Sequence, residues 1–198
     1  MIQIPNNVKG LIFDLDGTVA NTMQNHFLAW RAAVSPFQID FTAELFKSLT
    51  GMPRKATILK LNEMYNTNMK PEEVGKAKAV YYKKAAHLTK EIKIVADVVR
   101  KFHNVLPMSI GTGSTREGAK KTLEFTKMSS YFDIVITAND IQQPKPHPEA
   151  FLKCAELMNV EPEKCLVFED GILGIQAAKT AGMMVIDVND YFEMEFTI

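Results

Sequence analysis

Short apolar runs that end in polar or acidic residues alternate with helical patterns along most of this chain of 198 residues. The first run is Gly10-Leu11-Ile12-Phe13, and the four others are residues 108–110, 134–136, 166–168 and 184–186. Short, mainly apolar runs of this length are typical of parallel strands that are buried on both faces. Between the last four runs, apolar spacing predicts helices over residues 115–128, 147–158 and 172–181. The alternation therefore predicts an α/β protein with a parallel sheet and helices on both faces.

The long stretch after the first run departs from this rhythm. From about Asn21 to Lys90 we find no convincing strand, and the pattern instead predicts helices over residues 22–34, 42–49, 53–65 and 71–88. A connection of about 65 residues is far longer than a normal strand-to-helix loop. We therefore predict a small helical cap over residues 20–90 and an α/β core over residues 1–19 and 91–198. An extended helical layer of the main core is the alternative.

Composition and charge narrow the classes of protein that fit. The apolar fraction of 46% and the charged fraction of 23% are near globular averages, which excludes a disordered chain. The 23 basic residues balance 23 acidic ones, so the basic excess typical of nucleic-acid binders is absent. The charge is uneven, because residues 51–90 hold nine basic and three acidic side chains, whereas residues 129–198 hold four and twelve. We interpret this as clustering on solvated helix faces; the alternative is a cationic module that faces an acidic, cation-binding half.

The sequence shows no zinc motif, signal peptide or membrane span. Cys154 and Cys165 form no CxxC pair, and the four histidines lack zinc-ligand spacing, so both cysteines are most simply core thiols. No run approaches the ~20 apolar residues of a membrane span, and the apolar run before Asp14 is too short for a signal peptide. We expect a soluble, cytoplasmic monomer that acts on a small molecule and binds neither nucleic acid nor a membrane.

Polar and acidic side chains follow four of the predicted strands. The first strand leads into Asp14-Leu15-Asp16-Gly17-Thr18, whose two carboxylates at i and i+2 are expected on the same side before a sharp turn at the glycine. The later strands lead into Gly111-Thr112-Gly113-Ser114, Lys145 between two prolines, and Glu169-Asp170. Because the carboxyl ends of parallel strands share one edge of the sheet, we expect these groups to meet there.

The chemistry of these groups favours phosphoryl transfer. Carboxylate oxygens suit Mg²⁺ rather than a soft metal, and a hydroxyl, glycine amides and a lysine suit a phosphoryl group. We predict that Asp14 is the nucleophile and that Asp16 acts as acid toward the leaving oxygen, then as base toward water. The metal and Lys145 would neutralise the charge of the phosphate. Taken singly, each motif also fits an ordinary acidic strand end, a strand-to-helix turn or a solvated lysine.

The same residues resemble the haloacid dehalogenase superfamily of phosphotransferases, over nearly the whole chain and with its four motifs in order. Asp14-x-Asp16-Gly17-Thr18 is similar to the first motif, Thr112 to the second, Lys145 to the third and Glu169-Asp170 to the fourth. The resemblance implies a Rossmann-like core and a covalent aspartyl-phosphate on Asp14. It also implies that Mg²⁺ is bound by the Asp14 side chain, the Asp16 backbone carbonyl and Asp170, with Glu169 nearby, and we assign these four residues to the metal site.

Further stretches resemble the β-phosphoglucomutase-like subfamily, namely His26-Phe27-x-Ala29-Trp30-Arg31 and residues 168–178. Residues 107–114 are most similar to its bacterial phosphatases of fructose 1-phosphate and related sugar phosphates. This resemblance makes Thr112, Gly113, Ser114 and Lys145 the expected phosphate-binding residues. The mutase usually carries Ser-Ala where Thr112-Gly113 stands, which favours a phosphatase.

Two basic residues of the predicted cap also match positions in the mutase. Arg54, in Gly51-Met52-Pro53-Arg54, matches a cap arginine that grips the distal phosphate, and Lys78 matches a cap lysine. The resemblance makes both residues candidates for substrate binding. A solvated basic face is the alternative for each of them.

The sequence thus predicts a Mg²⁺-dependent phosphatase of small sugar phosphates such as fructose 1-phosphate, a phosphoric monoester hydrolase that works through an aspartyl-phosphate. A hexose-phosphate mutase of the β-phosphoglucomutase type is the alternative. A phosphoacceptor signalling domain also clusters acids, a threonine and a lysine on a parallel sheet. Such domains place the acceptor aspartate on a middle strand and lack a long helical insertion, so we disfavour them. Dehalogenase activity is disfavoured because Asp16 would have no role in it.

Overall fold

The computed structural model describes residues 2–50, 52–193 and 196. The strands are β1 (Gly10–Phe13), β2 (Ala20–Asn21), β3 (Lys90–Glu91), β4 (Met108–Gly111), β5 (Ile134–Ile136), β6 (Cys165–Glu169) and β7 (Met184–Asp187). The α-helices are α1 (Met23–Val34), α2 (Ala43–Leu49), α3 (Arg54–Tyr65), α4 (Pro71–Ala85), α5 (Lys93–Phe102), α6 (Arg116–Phe125), α7 (Glu149–Met158) and α8 (Ile172–Thr180).

Five strands form one sheet in the order β5-β4-β1-β6-β7, and all the pairs are parallel. β1 is the central strand, and its Leu11 lies between Met108 of β4 and Leu166 of β6. This order makes the carboxyl ends of β1, β4 and β6 neighbours at one edge of the sheet. The five strands predicted from the apolar runs are all present.

The sheet is covered by helices on both faces, as the strand pattern predicts. Side chains on one face, such as Leu11 and Phe13, pack in a buried cluster with residues of α5 and α6. The intervening Ile12 belongs to a second cluster with residues of α7 and α8 on the opposite face. The rings of Phe13 and Phe168 stack at a centroid distance of 4.8 Å, which joins the two central strands on the first face. The predicted α/β fold class is confirmed.

One helix and two short strands were not predicted from the sequence. Helix α5 carries apolar residues at the helical spacing of Val95, Val98, Val99 and Phe102, so its signal is present in the sequence. Strands β2 and β3 form a two-stranded antiparallel ribbon that pairs Ala20 with Glu91. Each strand has only two residues, which is too short for a readable alternation. The ribbon joins the two ends of the helical insertion.

Two helices end three residues earlier than predicted. α6 stops at Phe125, because Lys127 adopts a left-handed φ of 57° and the Met128 N–H donates to the Leu123 carbonyl. Such a left-handed residue is a common way to end a helix. α4 ends at Ala85 and continues as a short 3-10 turn over Ala86–Leu88.

The described residues form two compact units, one holding residues 2–22 and 89–193 and the other holding residues 23–50, 52–88 and 196. The second unit contains α1–α4, and its interior is rich in aromatic side chains. The Phe27 ring stacks on that of Phe41 at a centroid distance of 6.4 Å and lies tilted against that of Phe46 at 5.8 Å. The division into a core over 1–19 and 91–198 and a cap over 20–90 stays a prediction. None of the helices in the described ranges has the length and apolarity needed to cross a membrane.

The packing of α7 against the end of β4 can be tested at Gly111. A Cβ at Gly111 would lie 2.9 Å from Phe151 Cδ1 and 3.2 Å from Cys154 Sγ, both on α7. We expect Gly111→Ala to lower the free energy of unfolding by about 1–3 kcal/mol, because the close-packed core must shift to admit the methyl group. Urea denaturation measures this change. Gly113→Ala is the matched control, since a Cβ there would meet no heavy atom within 4 Å; equal losses in the two variants would contradict this reason.

Candidate active site

Asp14 lies directly beyond the central strand and is almost fully buried, at 6% exposure. Its N–H donates to the Phe168 carbonyl at 2.9 Å, so the ladder between β1 and β6 extends to this residue. Its Oδ1 accepts a hydrogen bond from Lys145 Nζ at 2.6 Å. Burial raises the pKa of the Asp14 carboxyl; the Lys145 ammonium opposes this rise, and the Asp16 carboxylate adds to it.

A tight turn follows Asp16 and brings Asp170 against the backbone. Gly17 has a φ of 97°, which favours glycine, and its N–H donates to the Ala20 carbonyl at 2.8 Å. A Cβ at Gly17 would lie 2.2 Å from Asp170 Oδ2, so no other residue leaves room for this carboxylate. Thr18 Oγ1 donates to Asp170 Oδ1 at 2.9 Å. The turn therefore connects the first motif to the fourth.

Asp16 is held by the residue that follows the second motif. Ser114 Oγ donates to Asp16 Oδ2 at 2.5 Å. The other oxygen, Asp16 Oδ1, is buried and has no hydrogen-bond partner among the described residues. A buried carboxylate oxygen without a donor is costly, so this atom is suited to receive a proton or a ligand donor.

Thr112 and Gly113 lie where β4 opens toward α6. Thr112 is buried, its N–H donates to the Ile136 carbonyl at 2.9 Å, and its Oγ1 accepts the Ser114 N–H at 3.0 Å. Gly113 is exposed, with no heavy atom within 4 Å of the position that a Cβ would take. The turn thus combines a fixed hydroxyl with an accessible backbone.

Lys145 lies in the loop between β5 and α7 and places its ammonium between two carboxylates. Its Nζ donates to Asp14 Oδ1 at 2.6 Å and to Glu169 Oε1 at 2.7 Å, and it lies 4.6 Å from the centroid of the Phe151 ring. Burial alone would lower the pKa of Lys145, but the negative charges of Asp14 and Glu169 outweigh this and raise it above its ordinary value. The side chain is therefore a permanent cation in this site.

Glu169 is the last residue of β6, and both of its carboxylate oxygens have donors. Oε1 accepts from Lys145, and Oε2 accepts the Gly171 N–H at 2.5 Å. A Cβ at Gly174 would lie 1.6 Å from Oε1, so the glycine of α8 leaves the space that the carboxylate fills. Burial raises the pKa of Glu169, with a further rise from the charge of Asp14 that Lys145 partly offsets.

Asp170 is the fourth carboxyl of the cluster, after Asp14, Asp16 and Glu169. Burial raises its pKa well above the ordinary value, and the negative charges of Asp14 and Glu169 raise it further, whereas the Thr18 hydrogen bond lowers it. Its backbone carbonyl accepts a hydrogen bond from Asn189 Nδ2 at 2.7 Å. Asn189 follows β7 and is itself bonded to Asp187 at the end of that strand.

The two predicted cap residues both lie in the helical unit, each in its own setting. Arg54 is exposed and packs over Gly75 of α4, where it borders a cavity of about 370 Å³ together with Lys55 and Lys76. Lys78 is half-buried, and its Nζ lies 2.7 Å from His26 Nδ1. Gly51, quoted with Arg54 in the motif, lies outside the described residues.

Within the sheet unit, the structure brings together Asp14, Asp16, Ser114, Lys145, Glu169 and Asp170, as the strand-end argument predicts. It adds three residues that the sequence analysis did not select for the site: Thr18, Gly174 and Asn189. Asn189 had the same signal as the others, because it is a polar residue just after the fifth strand of the sheet. Thr18 and Gly174 lay inside motifs that were quoted, but their contacts with carboxylates depend on the turn and helix geometry.

A family model of haloacid dehalogenase-like hydrolases matches residues 11–188 of the chain. The chain belongs to this family. Fructose-1-phosphate phosphatase YqaB of Escherichia coli (strain K12) is 35% identical over 179 residues, which cover 90% of this chain and 95% of that protein. β-Phosphoglucomutase of Bacillus subtilis (strain 168) is 28% identical over 189 residues, which cover 91% and 83%.

A solved structure shows the same likeness. The crystal structure of β-phosphoglucomutase from Clostridium difficile superposes with a TM-score of 0.73 at 25% identity, covering 91% of this chain and 84% of that one. The resemblance to the haloacid dehalogenase superfamily, to its β-phosphoglucomutase-like members and to its hydrolases is therefore confirmed.

The sequence predicts that this chain binds Mg²⁺, and the oxygen atoms of the candidate site fit that ion. In the part of the chain that the structure describes, no three His, Cys, Asp or Glu side chains are grouped as metal ligands. The expected set needs only two carboxylates, Asp14 and Asp170, together with a backbone carbonyl. Burial raises the pKa of both carboxyls, and Asp16 Oδ1 lacks a donor among the described residues. The charged forms are therefore disfavoured as the site stands, and a hard cation such as Mg²⁺ would stabilise them. Glu169, whose two oxygens already have donors, fits a supporting position beside the ligands.

The raised pKa of Asp170 predicts how the stability of the metal-free protein depends on pH. The metal-free protein should lose stability as the pH rises from the ordinary aspartate value of 3.8 through the raised pKa, because the folded state then holds an unfavourable charge. We expect Asp170→Asn to raise the free energy of unfolding at pH 8 by about 1 kcal/mol, because the amide removes a charge that burial disfavours. Urea denaturation in EDTA measures this gain.

The control for this prediction is Asp133→Asn, which removes an exposed carboxylate of the same unit. It should leave the unfolding free energy nearly unchanged. If Asp170→Asn were neutral or destabilising under the same conditions, the electrostatic account of the cluster would be wrong.

Proposed function

We propose that this protein is a Mg²⁺-dependent phosphatase that hydrolyses small sugar phosphates such as fructose 1-phosphate through an aspartyl-phosphate on Asp14. The observation that carries the proposal is the position of the Lys145 ammonium, which bridges Asp14 at 2.6 Å and Glu169 at 2.7 Å. A cation held against a buried carboxylate permits that carboxylate to approach a phosphate dianion, which electrostatic repulsion otherwise opposes.

The names of the relatives support the substrate class. The Escherichia coli relative, at 35% identity over 90% of this chain, is a fructose-1-phosphate phosphatase. The Bacillus subtilis relative, at 28%, is a β-phosphoglucomutase. Both names refer to phosphorylated hexoses, and the higher identity favours hydrolysis over isomerisation.

In the proposed mechanism, Asp14 attacks the phosphorus with one carboxylate oxygen. An O–P bond forms as the P–O bond to the sugar breaks, and the phosphoryl group is then carried by Asp14. The Lys145 ammonium stays protonated because its pKa is raised, and it neutralises charge on the transferring group and on Asp14. Thr112, Gly113 and Ser114 are proposed to donate hydrogen bonds to the phosphoryl oxygens.

Asp16 is the proposed proton carrier of both half-reactions. It gives a proton to the departing sugar oxygen in the first step and takes one from water as that water attacks the phosphorus in the second. The second step releases inorganic phosphate and restores Asp14. The donor-free Oδ1 of Asp16 is the suitable atom, because Oδ2 is already bonded to Ser114.

We propose that Mg²⁺ is held by Asp14, the Asp16 backbone carbonyl and Asp170, with Glu169 in support. When bound, Mg²⁺ would neutralise phosphoryl charge and offset the repulsion among these carboxyls. Thr18 and Asn189 keep Asp170 in place, through its side chain and its carbonyl respectively.

The substrate-binding roles of Arg54 and Lys78 remain proposals. Arg54 borders a cavity that is also lined by Lys55, Lys76 and Glu72, and the excess of basic side chains suits an anionic group of the substrate. Lys78 lies 2.7 Å from His26 Nδ1, and burial together with the Lys78 charge lowers the pKa of His26 well below its ordinary value. The Nδ1 atom of a neutral imidazole can accept a hydrogen bond from the Lys78 ammonium, and we propose that His26 orients this ammonium.

The nucleophile assignment gives the central test. We expect the wild-type protein with Mg²⁺ to release inorganic phosphate from fructose 1-phosphate or a related hexose phosphate, and Asp14→Asn to lower the rate by at least about 10³-fold, because the amide is a poor nucleophile. A colorimetric phosphate assay measures both. Asp97→Asn, which removes an exposed aspartate paired with Lys93, is the control. Retained turnover in Asp14→Asn would remove this residue from the nucleophile role.

Measuring phosphate release together with isomerisation separates the phosphatase from the mutase alternative. A mutase converts glucose 1-phosphate to glucose 6-phosphate and releases almost no phosphate. Following both products in one reaction decides between the two activities, and isomerisation without phosphate release would overturn the proposed function.

The proposed binding of a second anionic group of the substrate by Arg54 can be tested separately. We expect Arg54→Ala to raise KM about tenfold for substrates with a second anionic group, because a charge-assisted hydrogen bond of this kind contributes roughly 1.5–3 kcal/mol. Substrates without such a group should show little change, which steady-state kinetics on a panel of sugar phosphates measures. Lys60→Ala, on the same helix and paired with Glu63, is the control. An equal rise for every substrate would count against a specificity role.

A further inference from the structure

Glu149, the first residue of α7, is bonded to the loop that carries Lys145. Its carboxylate accepts the Gln143 N–H at 2.8 Å and the Gln142 N–H at 3.0 Å, both on Oε2. Gln143 lies two residues before Lys145, and Glu149 lies four residues after it. The side chain therefore ties together the two ends of the short segment that presents the ammonium to the site.

A second basic residue, on α7, also contacts this segment. Lys153, one turn further along α7, pairs with Glu149 Oε1 at 2.8 Å and donates to the Asp140 carbonyl at 2.5 Å. The hydrogen bond from Lys153, and then that from the Gln143 N–H, lowers the pKa of Glu149 to about 2. The carboxylate is therefore ionised at neutral pH and accepts several donors at once.

The loop is also anchored where it leaves β5. Asp140 Oδ2 accepts the Thr137 N–H at 2.9 Å and the Thr137 hydroxyl at 2.7 Å. Both ends of the loop are thus fixed to the sheet or to α7 by side-chain carboxylates. The position of Lys145 between them is set by these anchors and by the contacts that its own ammonium makes.

An acidic residue in the first turn of a helix has an ordinary explanation, which is its favourable interaction with the helix dipole. That interaction needs no contact with the preceding loop. Glu149 instead directs its oxygens at two loop amides and a lysine, and its side chain is only 18% exposed. The geometry therefore favours a role in placing the loop over a purely helical one.

We propose that Glu149 is a positioning residue for the phosphoryl-transfer reaction, which holds the Lys145 loop so that the ammonium reaches Asp14 and Glu169. The proposal rests on the proposed function in so far as Lys145 neutralises phosphoryl charge. It assigns to Glu149 no contact with the substrate. A small displacement of Lys145 is enough to affect the rate, since an error of about 1 Å in a catalytic group can cost about 10²-fold.

The test compares Glu149→Gln with Glu156→Gln, which changes an exposed glutamate on the same helix. Three quantities are measured on each full-length variant: amide hydrogen exchange at Gln142 and Gln143, the dissociation constant of orthovanadate with Mg²⁺, and kcat for phosphate release. In Glu149→Gln we expect at least tenfold faster exchange at both amides, about tenfold weaker orthovanadate binding and about tenfold lower kcat. Glu156→Gln should match the wild-type protein in all three.

The outcomes separate a positioning role from a structural one. Faster exchange with unchanged orthovanadate affinity and unchanged kcat would show that Glu149 only stabilises the loop, and it would overturn the proposal. Unchanged exchange would overturn it as well. Should Glu149→Gln fail to fold, Lys153→Met replaces it, with at least threefold effects expected in the same direction. Absence of phosphate release from the wild-type protein would refute the proposed function alone, since the exchange and orthovanadate measurements still test Glu149.

Discussion

The balance between buried carboxyls and one lysine governs this site. Asp14, Glu169 and Asp170 all have raised pKa values, because burial penalises their charges and each lies near another acid. Lys145 pairs with the carboxylates of Asp14 and Glu169, whereas the carboxylate of Asp170 accepts a hydrogen bond from the Thr18 hydroxyl. Buried charges without partners are strongly destabilising, so such a cluster lowers stability unless a cation or a phosphoryl ligand completes it. The buried carboxyls that lower the stability of the folded protein are thus the same groups that carry out the proposed chemistry.

The fold concentrates these charges through the position of β1. It is the central strand of a parallel sheet, so the ends of β4 and β6 lie on either side of Asp14. This much could be predicted from the sequence, because buried strands read as apolar runs and parallel strands share one carboxyl edge. Asp14, Lys145 and Glu169 could be placed together on that basis without any knowledge of their distances.

Other parts of the structure could not be predicted, because they depend on long-range pairing and on backbone geometry. The β2–β3 ribbon depends on pairing Ala20 with Glu91 across the whole helical insertion, and two-residue strands have no local pattern. The hydrogen bonds of Thr18 and Asn189 to Asp170 depend likewise on backbone geometry that the sequence does not reveal. Helix α5 is a different case, because its apolar residues recur at helical spacing and the sequence therefore does contain the signal for it.

Glycines decide how closely the charged groups can approach. At Gly17 a Cβ would lie 2.2 Å from an Asp170 oxygen, and at Gly174 it would lie 1.6 Å from a Glu169 oxygen. Only the first has a positive φ, so the second is required by space rather than by backbone conformation. A glycine inside α8 costs helix stability of about 1 kcal/mol relative to alanine, and that cost is offset by a position for Glu169 within reach of Lys145. The small residues in the first and fourth motifs are therefore part of the electrostatic arrangement, because they set the distances on which the pKa values and the lysine bridge depend.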